Sequence, residues 1–176
     1  VLRNLRIRDF AIIDSVDLEL PAGFTVVTGE TGAGKSILVD ALIVGLGGRA
    51  TAEVVRTGAN TAEVEALFDI RHHPLVQARL EARHLTGDDP HSLLIRRVIG
   101  RRGRAKVLIN GQLSTVATLA ELVRGLVDIS GQHEQQSLLV PDNHLDILDA
   151  YGDYTAELAR YTAAYAKLQQ VHVQQR

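Results

Sequence analysis

Gly29, Glu30, Thr31, Gly32, Ala33, Gly34, Lys35 and Ser36 read Gly-x-x-x-x-Gly-Lys-Ser. Each residue type in that spacing has a chemical use. Glycines let a ligand approach the backbone closely and adopt positive φ. Successive amides can then point into one hollow that accepts an anion. A helix starting at Lys35, Ser36 and Ile37 adds unpaired N–H groups and the positive end of its dipole. The Lys35 ammonium is placed to reach the outer phosphates of a nucleotide, and the Ser36 hydroxyl to ligate Mg²⁺. The eight residues form a P-loop, or Walker A motif. Phosphate binding is therefore expected at residues 29–37, with ATP or another nucleotide as the ligand.

A second motif lies at Asp128 to Gln132, DISGQ. It matches Asp-x-x-Gly-Gln, which resembles the second nucleotide motif of small GTPases. In that reading Asp128 holds Mg²⁺ through water, the Gly131 amide senses the γ-phosphate and Gln132 orients the attacking water. A stand-alone GTPase-like enzyme would follow. Against it, the chain has no Asn-Lys-x-Asp for guanine and no convincing switch threonine. The competing reading takes GQHEQQSLL as a Q-loop of ABC-type ATPases, whose glutamine contacts Mg²⁺ and the attacking water. Gln132 is the first choice for that glutamine, with Gln135 and Gln136 as neighbours. Asp128 is then structural.

Other residues carry weaker signals. Arg56, in VVRTGAN, is a candidate nucleotide contact, although an ordinary surface arginine fits the same pattern. Arg96, Arg97, Arg101, Arg102, Arg104 and Lys106 gather around one expected hairpin. Of these, Arg101, Arg102, Arg104 and Lys106 are the candidate DNA contacts, which would make binding salt-dependent. The alternative is a solvated hairpin with edge-protecting charges. No aromatic residues interleave there, so base stacking is unsupported. The seven histidines show no metal-ligand spacing. Glu30 and Glu134 have no pattern that marks them as general bases, and Ser36 has no histidine partner for nucleophilic catalysis.

These residues need elements to position them. Phe24 to Thr28 is an apolar, β-branched run that reads as the strand before the P-loop. Ile37, Leu38, Ala41, Leu42 and Val44 give the following helix one buried face. Leu2 to Phe10, Ile13 to Leu20 and Ala62 to Phe68 alternate apolar and polar residues, as half-buried strands do. Ser92 to Ile99 and Ala105 to Ile109 flank GRRGR as a hairpin, and Asn110-Gly111 marks a tight turn. Pro74 opens a helix running to about His84. Thr118 with Glu121 reads as a capping box, with Gly125 ending the short helix. Leu126 to Ile129 reads as a short strand, and His144 to Ala150 as a helix. From Tyr154 onward Leu158, Tyr161, Tyr165, Leu168 and His172 follow at heptad spacing, which reads as the root of a coiled coil or, since these are poor seam residues, as an ordinary surface helix.

Composition narrows the class. The 176 residues are 45% hydrophobic and 23% charged, ordinary for one globular domain, and the formal charge of −2 supplies no global basic field. There is no cysteine, hence no disulfide or thiolate site, which suits a cytoplasmic location. No apolar run approaches a membrane span and no signal-peptide pattern opens the chain, so no membrane partner is expected.

Taken in order, LRNLRIRDFAIIDSVDLEL, GFTVVTGETGAGKSILVDAL, GGRATAEVVRTGA, LINGQ and LVDISGQHEQQSLL resemble the RecN family, SMC-like ABC ATPases of bacterial DNA repair. The resemblance covers the chain to about Ala150. It implies an α/β P-loop NTPase fold of ABC/SMC-head type, with a mixed sheet and an antiparallel β layer. Residues 1–150 would be the N-terminal lobe of a split head, and residues 151–176 the first turns of a coiled-coil helix. It implies Lys35 and Gln132 as catalytic residues, and Mg²⁺ held by Ser36 and Gln132. The signature loop and Walker B carboxylate are not found in this sequence, so the chain alone should bind ATP with little or no turnover. Implied partners are the C-terminal half of its own head, the second head of a homodimer and DNA, chiefly broken ends. The setting would be the bacterial cytoplasm, at the nucleoid.

Overall fold

The computed structural model describes residues 1–29, 34–102, 105–129, 144–152 and 154–174. The chain divides into two compact units, Val1–Val127 and Asp128–Arg176.

The first unit is built on a six-stranded sheet. Its strands are β1 (Leu2–Phe10), β2 (Ile13–Glu19), β3 (Thr61–Asp69), β4 (Ser92–Gly100), β5 (Ala105–Ile109) and β6 (Gln112–Ser114). The order is β2-β1-β3-β4-β5-β6, and every neighbouring pair is antiparallel. The alternation read from the sequence sets the two faces. Leu5, Ile7, Val64, Phe68, Leu93, Ile95, Val107 and Ile109 all point to one side and are buried. Three helices contribute to the same core: α1 (Lys35–Gly45) through Ala41 and Val44, α2 (Pro74–Ala82) through Val76 and Leu80, and α3 (Val116–Leu122) through Leu119 and Leu122.

The other face carries charges in register. Arg6 lies opposite Asp17 on β2 and Glu65 on β3, and Glu65 lies opposite Arg96 on β4. Arg6 bonds Asp17 at 2.7 Å and approaches Glu65 at 3.6 Å. Arg96 bonds Glu63 at 2.8 Å and lies 3.9 Å from Glu65. Hydrogen bonds from Asn4 and Arg6 hold the Asp17 carboxyl below its ordinary pKa. Such exposed pairs each add little stability, but opposite charges across strands disfavour a slipped register.

Local expectations are met in most places. The β4–β5 hairpin forms, with Ile95 opposite Ile109. Asn110 and Gly111 have φ of 48° and 80° and connect β5 to β6, with Ile109 opposite Gln112. Asn110 also secures its surroundings, accepting from the Leu94 amide and donating to the Leu85 carbonyl, both at 2.8 Å. Pro74 opens α2 as expected.

Three local readings are corrected. The cap of α3 is Thr115, whose hydroxyl accepts from the Thr118 amide at 3.1 Å. β6 ends at Ser114, so the extended residue that follows takes the capping position, and Thr118 falls inside the helix. Phe24 to Thr28 forms no ladder; Phe24 is 93% exposed and Val26 64%. Leu126 to Ile129 forms none either. A strand exists only where a neighbour takes up its N–H and C=O groups, and neither segment has one among the described residues. The expected antiparallel β layer is present, whereas the expected mixed sheet is not formed among the described residues, where every strand pair is antiparallel.

The second unit contains α4 (His144–Gly152) and α5 (Thr155–Gln174). Tyr154, Leu158, Tyr161, Tyr165 and Leu168 are all exposed. Tyr161 and Tyr165, one turn apart, stack with centroids 6.1 Å apart. No helix among the described residues is long and apolar enough to cross a membrane.

Candidate nucleotide site

The phosphate-binding candidates meet at the start of α1. Gly34 precedes the helix with φ 110°, in the left-handed region that favours glycine, and its carbonyl accepts the first helical bond from Leu38 at 2.9 Å. Lys35 and Ser36 open the helix. No side chain caps this terminus and its first turn holds no acidic residue. The Lys35 ammonium donates to the Gly29 carbonyl, closing the loop on itself. Ser36 is exposed. Cation, hydroxyl and helix N-terminus thus stand together with no competing carboxylate in the first turn, a fit for a phosphate group. Glu30, Thr31, Gly32 and Ala33 lie outside the described residues.

The far end of α1 is where the helix is gripped. Ala41, Val44 and Gly45 are its buried residues. Gly45 passes so close to β3 that a Cβ there would stand 2.8 Å from a Val64 methyl. Arg97, 3% exposed, reaches the same end from β4. Its Nη1 donates to the carbonyls of Val44 and, at 2.6 Å, Gly48. Burial lowers the pKa of this guanidinium below the ordinary arginine value. Arg97 therefore belongs to the core and not to the basic hairpin its charge suggests, because it shares the inward side of β4 with Ile95 and Ile99.

Arg56 is tied to the β1–β2 hairpin. Its guanidinium pairs with Asp14, and its amide donates to Asp9 at 2.9 Å. Arg101 braces the turn after it, donating to the carbonyls of Arg56 at 2.6 Å and Ala59 at 2.9 Å. The pairing of Arg56 with Asp14 was not apparent from sequence.

Arg96, Arg101, Arg102 and Lys106 line an open groove of about 760 Å³ on the face away from the helices, floored in part by Val98 and Leu108. Arg104 lies outside the described residues, as do Gly131, Gln132, Glu134, Gln135 and Gln136. Asp128 is exposed and belongs to no strand. Among the described residues no three His, Asp or Glu side chains are arranged to hold a metal ion.

A family model described as an AAA domain matches residues 4–172. The chain belongs to the AAA domain family. This AAA domain is 44% identical over 158 residues to the DNA repair protein RecN of Xylella fastidiosa, covering 89% of the chain and 28% of the relative. It is 39% identical to RecN of Bacillus subtilis, covering 97% of the chain and 31% of the relative. It is 43% identical to RecN of Streptomyces coelicolor, over 95% and 29%. The resemblance to RecN is therefore shown over most of the chain, which spans less than a third of the length of these relatives. Among solved structures, the Smc head domain with coiled coil and joint from Pyrococcus yayanosii aligns with a TM-score of 0.66 at 21% identity, over 98% of this chain and 36% of that one. A structure described under ATP-driven dimerization and DNA-stimulated activation of SMC ATPases gives 0.59 at 21% identity, over 81% and 82%. The AAA domain thus has the α/β fold of an SMC-type ABC ATPase head fragment.

Proposed function

We propose that this chain is the ATP-binding half of an SMC-like ATPase head acting in DNA double-strand-break repair. The carrying observation is the start of α1: Lys35 and Ser36 on an uncapped helix N-terminus, introduced by Gly34 in a left-handed conformation. Gly29 to Ile37 would hold the phosphates. Mg²⁺, ligated by Ser36 and by Gln132 or a neighbouring glutamine, would neutralise charge developing on the phosphates. Lys35 stabilises the same charge, and Gln132 orients water. Arg56 is a nucleotide contact held in readiness by Asp14.

Turnover needs groups that this sequence does not display, so hydrolysis belongs to the full protein. The C-terminal half of the head and a second head of a homodimer would supply them. Exposed Phe24, Val26 and Val27 support a missing neighbour, because a cluster of large apolar residues is ordinarily covered. Residues 1–150 are read as the N-terminal lobe and 151–176 as the first turns of a coiled coil, whose exposed Tyr154, Leu158, Tyr161, Tyr165 and Leu168 await a partner helix. ATP-driven engagement of two heads would hold or tether broken DNA ends, in the cytoplasm at the nucleoid.

Calorimetry with Mg·ATP and Mg·GTP, beside turnover assays, tests this reading. Binding of Mg·ATP without preference for GTP, and negligible turnover by this chain, is the expected result. Preferential GTP binding, with turnover lost in Gln132→Ala, would establish the GTPase reading instead.

Arg101, Arg102, Arg104 and Lys106 are proposed to meet DNA phosphates. Arg102→Ala with Lys106→Ala should reduce the slope of log affinity against log salt by roughly 2 units, close to one per lost phosphate contact. An unchanged slope assigns those charges to solvent.

A further inference from the structure

We infer that Arg97 is a positioning residue for the phosphate site, acting through α1 from the end opposite the nucleotide. This rests on the reading of Lys35 and Ser36 as phosphate and Mg²⁺ ligands.

The burial of α1 is uneven. Among its residues only Ala41, Val44 and Gly45, all towards the C-terminal end, are fully buried, whereas Ser36, Val39 and Asp40 are exposed. Ile37 and Leu38 also pack against the core but are only partly buried, so the helix is held most tightly towards its C-terminal end and presents its chemistry at the other. Eight residues separate Ser36 from Val44, which at about 1.5 Å each puts the Arg97 contact roughly 12 Å along the helix from the Ser36 hydroxyl. A hydrogen-bonded helix transmits a shift or rotation at its anchor to its free end.

Arg97 is the charged residue in that anchor, the one buried polar or charged side chain among the described residues. One guanidinium nitrogen takes two carbonyls, those of Val44 in the last turn and Gly48 beyond it. Those carbonyls lie at the negative end of the helix dipole, where a cation is favoured. The Gly48 amide in turn donates to Ile43 at 2.9 Å, and Leu46 donates to Leu42 at 2.9 Å. The grip thus includes the turn that ends the helix. Among the described residues the Arg97 Nε has no hydrogen-bond partner. Burying a guanidinium with one donor unsatisfied is costly, and an apolar side chain would fill the space without that cost. Fixing the rotation and axial position of α1 is the return on this arrangement.

The test uses the full chain with Arg97→Met, which keeps an unbranched apolar stem without the guanidinium, and Arg97→Lys, which keeps a charge and one donor group. Three quantities are read: cooperative unfolding without nucleotide, amide exchange at Leu46, Gly47 and Gly48, and affinity for Mg·ATP. The expected result is a folded Arg97→Met whose Leu46–Gly48 amides exchange faster and whose Mg·ATP affinity is at least about tenfold weaker. Arg97→Lys should recover part of both effects. A folded Arg97→Met that binds Mg·ATP like the wild type overturns the inference. If Arg97→Met does not fold, Arg97→Lys carries the comparison, and wild-type affinity in that variant with accelerated exchange overturns it equally. A wild type that does not bind Mg·ATP at all overturns the phosphate reading itself, a result separable from the others because it needs no variant.

Discussion

Lys35→Ala lowers the affinity for Mg·ATP by about 10- to 150-fold, the equivalent of losing a charged hydrogen bond of roughly 1.5–3 kcal/mol. The uncapped N–H groups of α1 and the Gly34 turn survive the substitution, so residual binding remains. The lost part is the point charge, whose ammonium touches the Gly29 carbonyl within the loop. Lys35→Arg is the informative companion. A planar fork is larger and differently hydrated than an ammonium, so charge alone should not restore full affinity. Calorimetry at two salt concentrations separates the parts, because the Coulombic share weakens with ionic strength. Equal affinity in Lys35→Ala and wild type would remove Lys35 from the site and leave the P-loop spacing a coincidence.

Phe68→Ala destabilises the first unit by about 3–5 kcal/mol, the usual loss for a fully buried aromatic. Phe68 is 1% exposed on β3, opposite Leu2 of β1 and Leu93 of β4. It sits where two ladders meet, so neighbours on both sides must move to close the cavity. Stability of a domain this size is marginal, and a loss of that order leaves little reserve. Urea unfolding followed by far-ultraviolet circular dichroism should show the midpoint falling with little change in slope. A shift worth less than about 1 kcal/mol would mean that the site collapses freely and that β3 is not the centre of the core.

Much of the fold is legible because strands and helices leave periodic marks. Alternation in Leu2–Phe10 and Ala62–Phe68 placed both strands and their inward faces. Pro74 and Asn110-Gly111 marked a helix start and a turn through backbone geometry alone. What failed had a shared cause: dependence on partners distant in sequence. Phe24 to Thr28 and Leu126 to Ile129 have strand composition, yet composition cannot provide a neighbouring ladder. The spacing of Thr118 to Glu121 reads as a cap, but the end of β6 at Ser114 places the cap at Thr115. Within the site, the Gly-x-x-x-x-Gly-Lys-Ser spacing was plain, but its anchorage was not. Arg97 was read by its charge when its parity with Leu93, Ile95 and Ile99 was the better guide. The Arg56–Asp14 pair joins residues 42 positions apart, and no local pattern encodes it.

The tyrosine stack on α5 has an optical consequence. The chain has no tryptophan and four tyrosines, and these are Tyr151, Tyr154, Tyr161 and Tyr165, all within the second unit. Excited at 280 nm, the protein emits only from that segment, while the sheet core and the P-loop helix are dark. Intrinsic fluorescence is therefore a ready-made reporter of α4 and α5, free of background from the first unit. A tryptophan placed in the first unit would have the red-shifted emission window to itself, so each unit could be followed separately during unfolding.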